Sequence, residues 1–175
     1  MKKYHPAYFG VYLALALILS YVESLIPFYF GIPGVKLGLT NLVIVLVLYQ
    51  LGFVPAMVLS CARVFLAGFL FGNLYSILYS LAGGILSLLM MTLVKKTGKF
   101  SIAGVSICGG IFHNVGQILV AMVVVENMSI AYYMPILIIS GVLTGCLIGI
   151  AAGEVKRRIP AINSGRQEDK EISGR

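Results

Sequence analysis

Ile32-Pro-Gly-Val-Lys-Leu-Gly-Leu-Thr-Asn41 joins a Pro-Gly turn to a lysine, an asparagine and a long uncharged run. Lys36 opens the apolar segment, and Asn41 follows five residues later. A second stretch, Phe112-His-Asn-Val-Gly-Gln117, sets His113, Asn114 and Gln117 inside another apolar segment. Stripping such groups of water costs several kcal/mol, so within a membrane they are candidates for function before anything else.

The surroundings of both stretches are apolar almost throughout. Of the 175 residues 59% are hydrophobic and 11% charged, and the mean hydropathy is +0.99. A soluble domain would carry about 25% charged residues. Repeated apolar runs of about 20 residues are the mark of membrane-spanning helices. The expectation is an all-α integral membrane protein with no separate soluble domain, its first segment a retained span and not a cleaved signal.

The net charge of +7 is explained by topology without nucleic acid, because the basic residues fall at segment ends. Cys61, Cys108 and Cys146 lie in apolar spans without a CxxC pair, and His5 and His113 are the only histidines. No metal site is expected from that set, and the cysteines read as small packing residues.

Six spans are predicted, over residues 7–26, 36–51, 53–71, from Gly72-Asn73 to 94, 101–125 and 132–152, with Lys156-Arg-Arg158 ending the last. Residues 1–158 then form the membrane domain, and 159–175 a polar cytoplasmic tail predicted to be disordered. Lys2/Lys3, Lys95/Lys96/Lys99 and Lys156/Arg157/Arg158 all fall on one side of an even number of spans. The positive-inside rule makes that side the cytoplasm, with both termini on it. Gly141, Gly145, Gly149 and Gly153 recur every fourth residue, which removes side chains from one ridge of the sixth span and admits another backbone.

With that orientation, the polar groups gather in the outer half. Glu23 ends the first span, Lys36 and Asn41 begin the second, and Asn73, Tyr79 and Ser80 begin the fourth. Arg63 lies mid-membrane in the third, and His113, Asn114 and Gln117 share one face of the fifth. Each has a bland alternative. Glu23 and Lys36 read equally as a salt bridge, Lys36 as a residue snorkelling to the interface, and Arg63 as half of a structural ion pair. His113, Asn114 and Gln117 also suit an interhelical clamp, and Tyr75, Tyr79 and Phe28-Tyr-Phe30 an interfacial aromatic belt.

Catalysis by the chain alone is not expected. It lacks a GxxxxGK[ST] phosphate loop, and its single aspartate is Asp169, in the tail. Magnesium-diphosphate chemistry needs clustered carboxylates.

Glu23-Ser-Leu-Ile-Pro27, Pro33-Gly-Val-Lys-Leu-Gly-Leu-Thr-Asn41, the span around Arg63, Tyr79-Ser-Leu-Ala-Gly-Gly84 and His113-Asn-Val-Gly-Gln117 resemble the bacterial Gx transporter family, also labelled heptaprenyl diphosphate synthase component I. The resemblance covers roughly residues 8–155. That family is similar to the S components of energy-coupling factor (ECF) transporters. The resemblance implies a six-helix bundle that captures a vitamin-like solute from outside, with a separate membrane coupling protein and two ATPases driving release. It also implies that small residues of the first helix meet the coupling protein, which makes Gly10, Ala14, Ala16 and Ser20 candidates. The rival from another class is a non-catalytic membrane subunit assisting a prenyl diphosphate synthase or a flavin- or quinone-linked electron-transfer system. An enclosed cavity lined by Lys36, Asn41 and His113 favours the binder, whereas mutually satisfied side chains without a cavity favour the accessory subunit.

Overall fold

A computed structural model describes residues 6–25 and 38–159. They form helices α1 (Pro6–Leu25), α2 (Leu39–Gln50), α3 (Phe53–Phe71), α4 (Leu74–Lys96), α5 (Ile102–Val125) and α6 (Met134–Arg158), with a 3-10 turn at Met128–Tyr133 before α6. Five stretches are long and apolar enough to cross a membrane, and α2 is the shorter apolar helix. This is the architecture of a multi-pass membrane protein. Six helices are present, but the expectation of six full spans is not confirmed at α2. Its 12 residues give about 18 Å at 1.5 Å per residue, short of the roughly 30 Å of hydrocarbon.

The physical reason lies in where α2 sits. Val43, Ile44, Val45, Leu46, Val47 and Leu48 are each at most 3% exposed. Consecutive burial over more than one turn covers every side of a helix, so α2 is wrapped by its neighbours and has no lipid face to match to the bilayer. The other helices follow one another in contact, α1 with α3, α3 with α4, α4 with α5 and α5 with α6, while α2 touches α1, α3 and α6 and so joins the two ends of that series.

Local chemistry sets the boundaries. Gly38 (φ 69°) precedes α2 and Gly52 (φ 98°) separates α2 from α3. Asn73 Oδ1 accepts from Ser76 N at 2.8 Å and starts α4, and Ser101 Oγ does the same for α5 from Gly104 N. The sixth helix runs past the predicted end at residue 152 to Arg158. Basic residues suit a helix C-terminus, and Glu154 pairs with Arg157 and Arg158 at 2.7 Å each, so the charges end the apolar span without ending the helix.

Glycines bring α5 and α6 together. A Cβ on Gly110 would stand 2.3 Å from Gly141 O, one on Gly145 would stand 2.7 Å from Ile107 Cα, and one on Gly149 would stand 2.5 Å from Ala103 Cα. Gly153 meets nothing within 4 Å, so the four-residue ridge is used over three of its four positions.

Two sets of contacts define the ends of the bundle. At one end Tyr12 Oη donates to Gln50 Oε1 at 2.5 Å and Lys95 Nζ donates to Leu48 O at 2.6 Å. Lys95 and Lys156 lie 4.5 and 4.7 Å from the centre of the Tyr49 ring there. At the other end Ser20 and Thr40 share a hydroxyl hydrogen bond of 3.0 Å, and Tyr21 packs on Phe71. The basic ends of α4 and α6 thus share one end. Lys2 and Lys3, and the predicted tail from residue 160 onward, lie outside the described residues.

Candidate functional site

At the end away from Lys95 and Lys156, the helices form a partly open polar cavity of about 130 Å³. All six contribute to its wall: Glu23 from α1, Asn41 from α2, Arg63 from α3, Ser80 from α4, His113 and Gln117 from α5, and Thr144 from α6. Counting from Phe71 back to Arg63 puts the guanidinium's helix position about 12 Å below the end of α3. A cation at that depth needs a partner, an anionic ligand or water.

The charges in the cavity are unequally satisfied. Glu23 Oε1 accepts from Gly38 N at 2.5 Å, which places a carboxylate at the start of α2, where a helix favours negative charge. Arg63 Nε is buried and has no hydrogen-bond partner. Glu23 acts on Arg63 electrostatically, but among the described residues the ion pairs within 4 Å are those of Glu154 at the far end. An unsatisfied buried donor on a charged group costs about 1–3 kcal/mol or more, and the rest of the partly exposed Arg63 side chain lines the cavity.

Backbone proximity positions the α5 side chains. A Cβ on Gly83 would stand 2.7 Å from His113 O and 2.9 Å from Gln117 Cγ, and one on Gly116 would meet Ala82 O at 2.9 Å. The glycines let α4 and α5 close up, which turns His113 and Gln117 into the cavity. Asn114 lines it too, but its Nδ2 donates to Leu137 O at 2.6 Å. It is therefore an α5–α6 clamp with one carbonyl oxygen left over for a ligand.

A second cavity of about 510 Å³ adjoins the first, between α4, α5, the 3-10 turn and the start of α6. Tyr75, Tyr79 and Tyr133 line it together with Ile118, Ala121 and Leu137. Ser76, Ser80 and Gln117 belong to both walls.

The predicted site residues therefore divide. Glu23, Asn41, Arg63, Ser80, His113, Asn114 and Gln117 come together in the polar cavity. Asn73 and Tyr79 lie instead in the second, and Asn73 is also the cap of α4. Lys36 lies outside the described residues. Of the candidates on α1, Gly10 and Ala14 are exposed, whereas Ala16 is fully buried and Ser20 lines the polar cavity and bonds Thr40. Thr40, Ser76 and Thr144 also line the polar cavity without standing out in the sequence, because small hydroxyls in apolar helices usually bond their own backbone, as Thr144 does to Ser140 O. Ser76 was recoverable: Asn73, Ser76 and Ser80 fall at i, i+3 and i+7, one helical stripe.

No curated protein and no solved structure matches the chain. A family model described as heptaprenyl diphosphate synthase component I matches residues 12–155, a stretch that contains every wall residue named above. By that match over most of its length, the chain belongs to the heptaprenyl diphosphate synthase component I family.

Proposed function

We propose that the chain is a non-catalytic, membrane-embedded solute-binding subunit, an S component of an energy-coupled importer, which captures a small vitamin- or cofactor-like molecule. The observation that carries this reading is the polar cavity to which all six helices contribute, with Arg63 facing it short of a partner. A subunit built only to anchor an enzyme has no need to keep an unsatisfied guanidinium in mid-membrane. The solute enters from outside, since the cavity lies at the end opposite Lys95 and Lys156 and basic ends favour the cytoplasm. Arg63 supplies charge, Asn41, Gln117 and Ser80 hydrogen bonds, and His113 either; Lys36 and the Asn114 carbonyl oxygen join them.

A separate coupling membrane protein and ATPase subunits drive the transfer. Gly10 and Ala14 fit the coupling protein, because they sit on an exposed face of α1 beside Val11, Leu15 and Ile18. A second reading, a non-catalytic subunit assisting a prenyl diphosphate synthase, is favoured by the family's description, which names a synthase component. Native mass spectrometry of the detergent-solubilised full chain tests between them. The importer reading expects a small molecule to copurify with the native chain and to be lost from His113→Ala without loss of expression. A chain that carries no small molecule but copurifies with a soluble prenyl synthase fits the second reading.

A further inference from the structure

The two cavities differ in size and chemistry in a way that limits what fits them. Sites for whole small molecules measure about 300–1,000 Å³. The polar cavity, at about 130 Å³, is too small for one, while the second, at about 510 Å³, has the volume and a mainly apolar surface. They adjoin across Ser76, Ser80 and Gln117, so one molecule can reach both. In the polar part Glu23 Oε1 accepts from the Gly38 N–H, while the partly exposed Arg63 lines the wall with no ion pair within 4 Å among the described residues. The missing counterpart is therefore an anion, which a guanidinium binds through charge-assisted hydrogen bonds. In the second cavity Tyr75, Tyr79 and Tyr133 present rings, which favour a flat apolar body by offset or edge-on stacking.

We propose that the two cavities form one bipartite site for an amphiphile, with a carboxylate or phosphate head at Arg63 and a ring-bearing apolar body between Tyr75, Tyr79 and Tyr133. This rests on reading the polar cavity as a solute site and adds the class of solute. The bilayer supplies a competing occupant, an acyl chain, for the apolar half.

Isothermal titration of the full chain in nanodiscs and in detergent, with naphthoate as probe, tests it. Acetate supplies the head alone, and naphthamide supplies the body without the charge. Naphthoate should bind about tenfold or more tighter than either, a difference in line with one charged hydrogen-bonded contact. Arg63→Gln, Ala121→Phe and Tyr133→Ala should each remove about that factor while melting stays cooperative. The two substitutions in the apolar half, one filling it and one opening it, guard against a single misfolded variant. If Arg63→Gln weakens naphthoate but neither apolar variant does, the polar site stands and the bipartite site is overturned. If no variant matters, both readings fail. Naphthamide binding as well as naphthoate overturns the anionic head, and binding confined to detergent overturns the ring-bearing body in favour of an acyl chain.

Discussion

Replacing Arg63 by methionine separates a binding role from a structural one by the sign of a single measurement. Methionine keeps an unbranched side chain of similar reach and removes the charge. Arg63 Nε has no partner and, among the described residues, no carboxylate lies within ion-pair distance of Arg63, so the native chain carries the cost of burying the cation with little return. Exchanging a buried ion pair for apolar side chains of like volume is often neutral or stabilising by about 1–4 kcal/mol, and a buried cation without a pair has less Coulomb gain to lose. Taking about 2 kcal/mol, Tm should rise by about 4–8 °C in a chain of this size. Cys61, Cys108 and Cys146 are free and half-buried, so a thiol-reactive dye that lights up on unfolding reads Tm without any added label. Naphthoate binding should fall by about tenfold or more in the same preparation. Had Arg63 been one half of a structural pair with Glu23, breaking it would cost about 3–5 kcal/mol. A Tm that drops by about 10 °C or more, with Glu23→Gln dropping equally, refutes the reasoning.

Gly141→Leu should destabilise by about 3 kcal/mol or more, because even a Cβ there meets Gly110 O at 2.7 Å and backbone cannot yield; Gly153→Leu, with open space around it, should stay within about 0.5 kcal/mol, both read by dye-monitored melting. Lys95→Ala should cost about 1–2 kcal/mol through its bond to Leu48 O and its stacking on Tyr49. Lys156→Ala should be near neutral, since it gives up one ring contact while removing a like charge beside Lys95. With the native cysteines replaced, Thr97→Cys should react in intact cells only with membrane-permeant thiol reagents and Ser129→Cys with impermeant ones. Both positions are exposed, and the reverse pattern would invert the proposed orientation.

The long helices were legible because membrane spans announce themselves by length and by what interrupts them. Gly72-Asn73 ends α3 and caps α4, and Phe53–Phe71 was read to the residue. Sequence could not tell that α2 is the central helix. Its uninterrupted Leu-Val-Ile run reads the same whether it faces lipid or protein, since both are apolar. The polar cavity was legible for the reverse reason: Arg63, His113 and Gln117 are costly in lipid wherever they point, and the bundle interior is the cheaper direction. What stayed hidden was the division of labour. Asn114 and Asn73 look like ligand contacts in a string of letters, and only their geometry assigns one to Leu137 O and the other to the first turn of α4. On α1 a spacing of small residues could not distinguish the exposed Gly10 and Ala14 from Ala16, which is sealed inside.

The short central helix and the cavity are one fact seen twice. Lys95 of α4 reaches Leu48 of α2, which sets the two helices level near their C-terminal ends. From there α2 runs back nine residues to Leu39, and α4 runs back twenty-one to Leu74. The surrounding helix therefore continues about 18 Å beyond the start of the central one. Over that distance the described residues carry no run of consecutive buried apolar side chains like Val43–Leu48. Gly38, Thr40 and Asn41 at the start of α2 become a floor, and Glu23, Arg63, Ser80, His113 and Gln117 become walls. A polar residue in α2 at Val45 or Val47 would have no such space to face. Extending the packed core upward by Asn41→Leu should therefore remove binding while raising Tm, because it trades a cavity-facing amide for apolar contact. An Asn41→Leu chain that melts lower than the native one would show that the amide holds the helices together and leave the cavity without its floor.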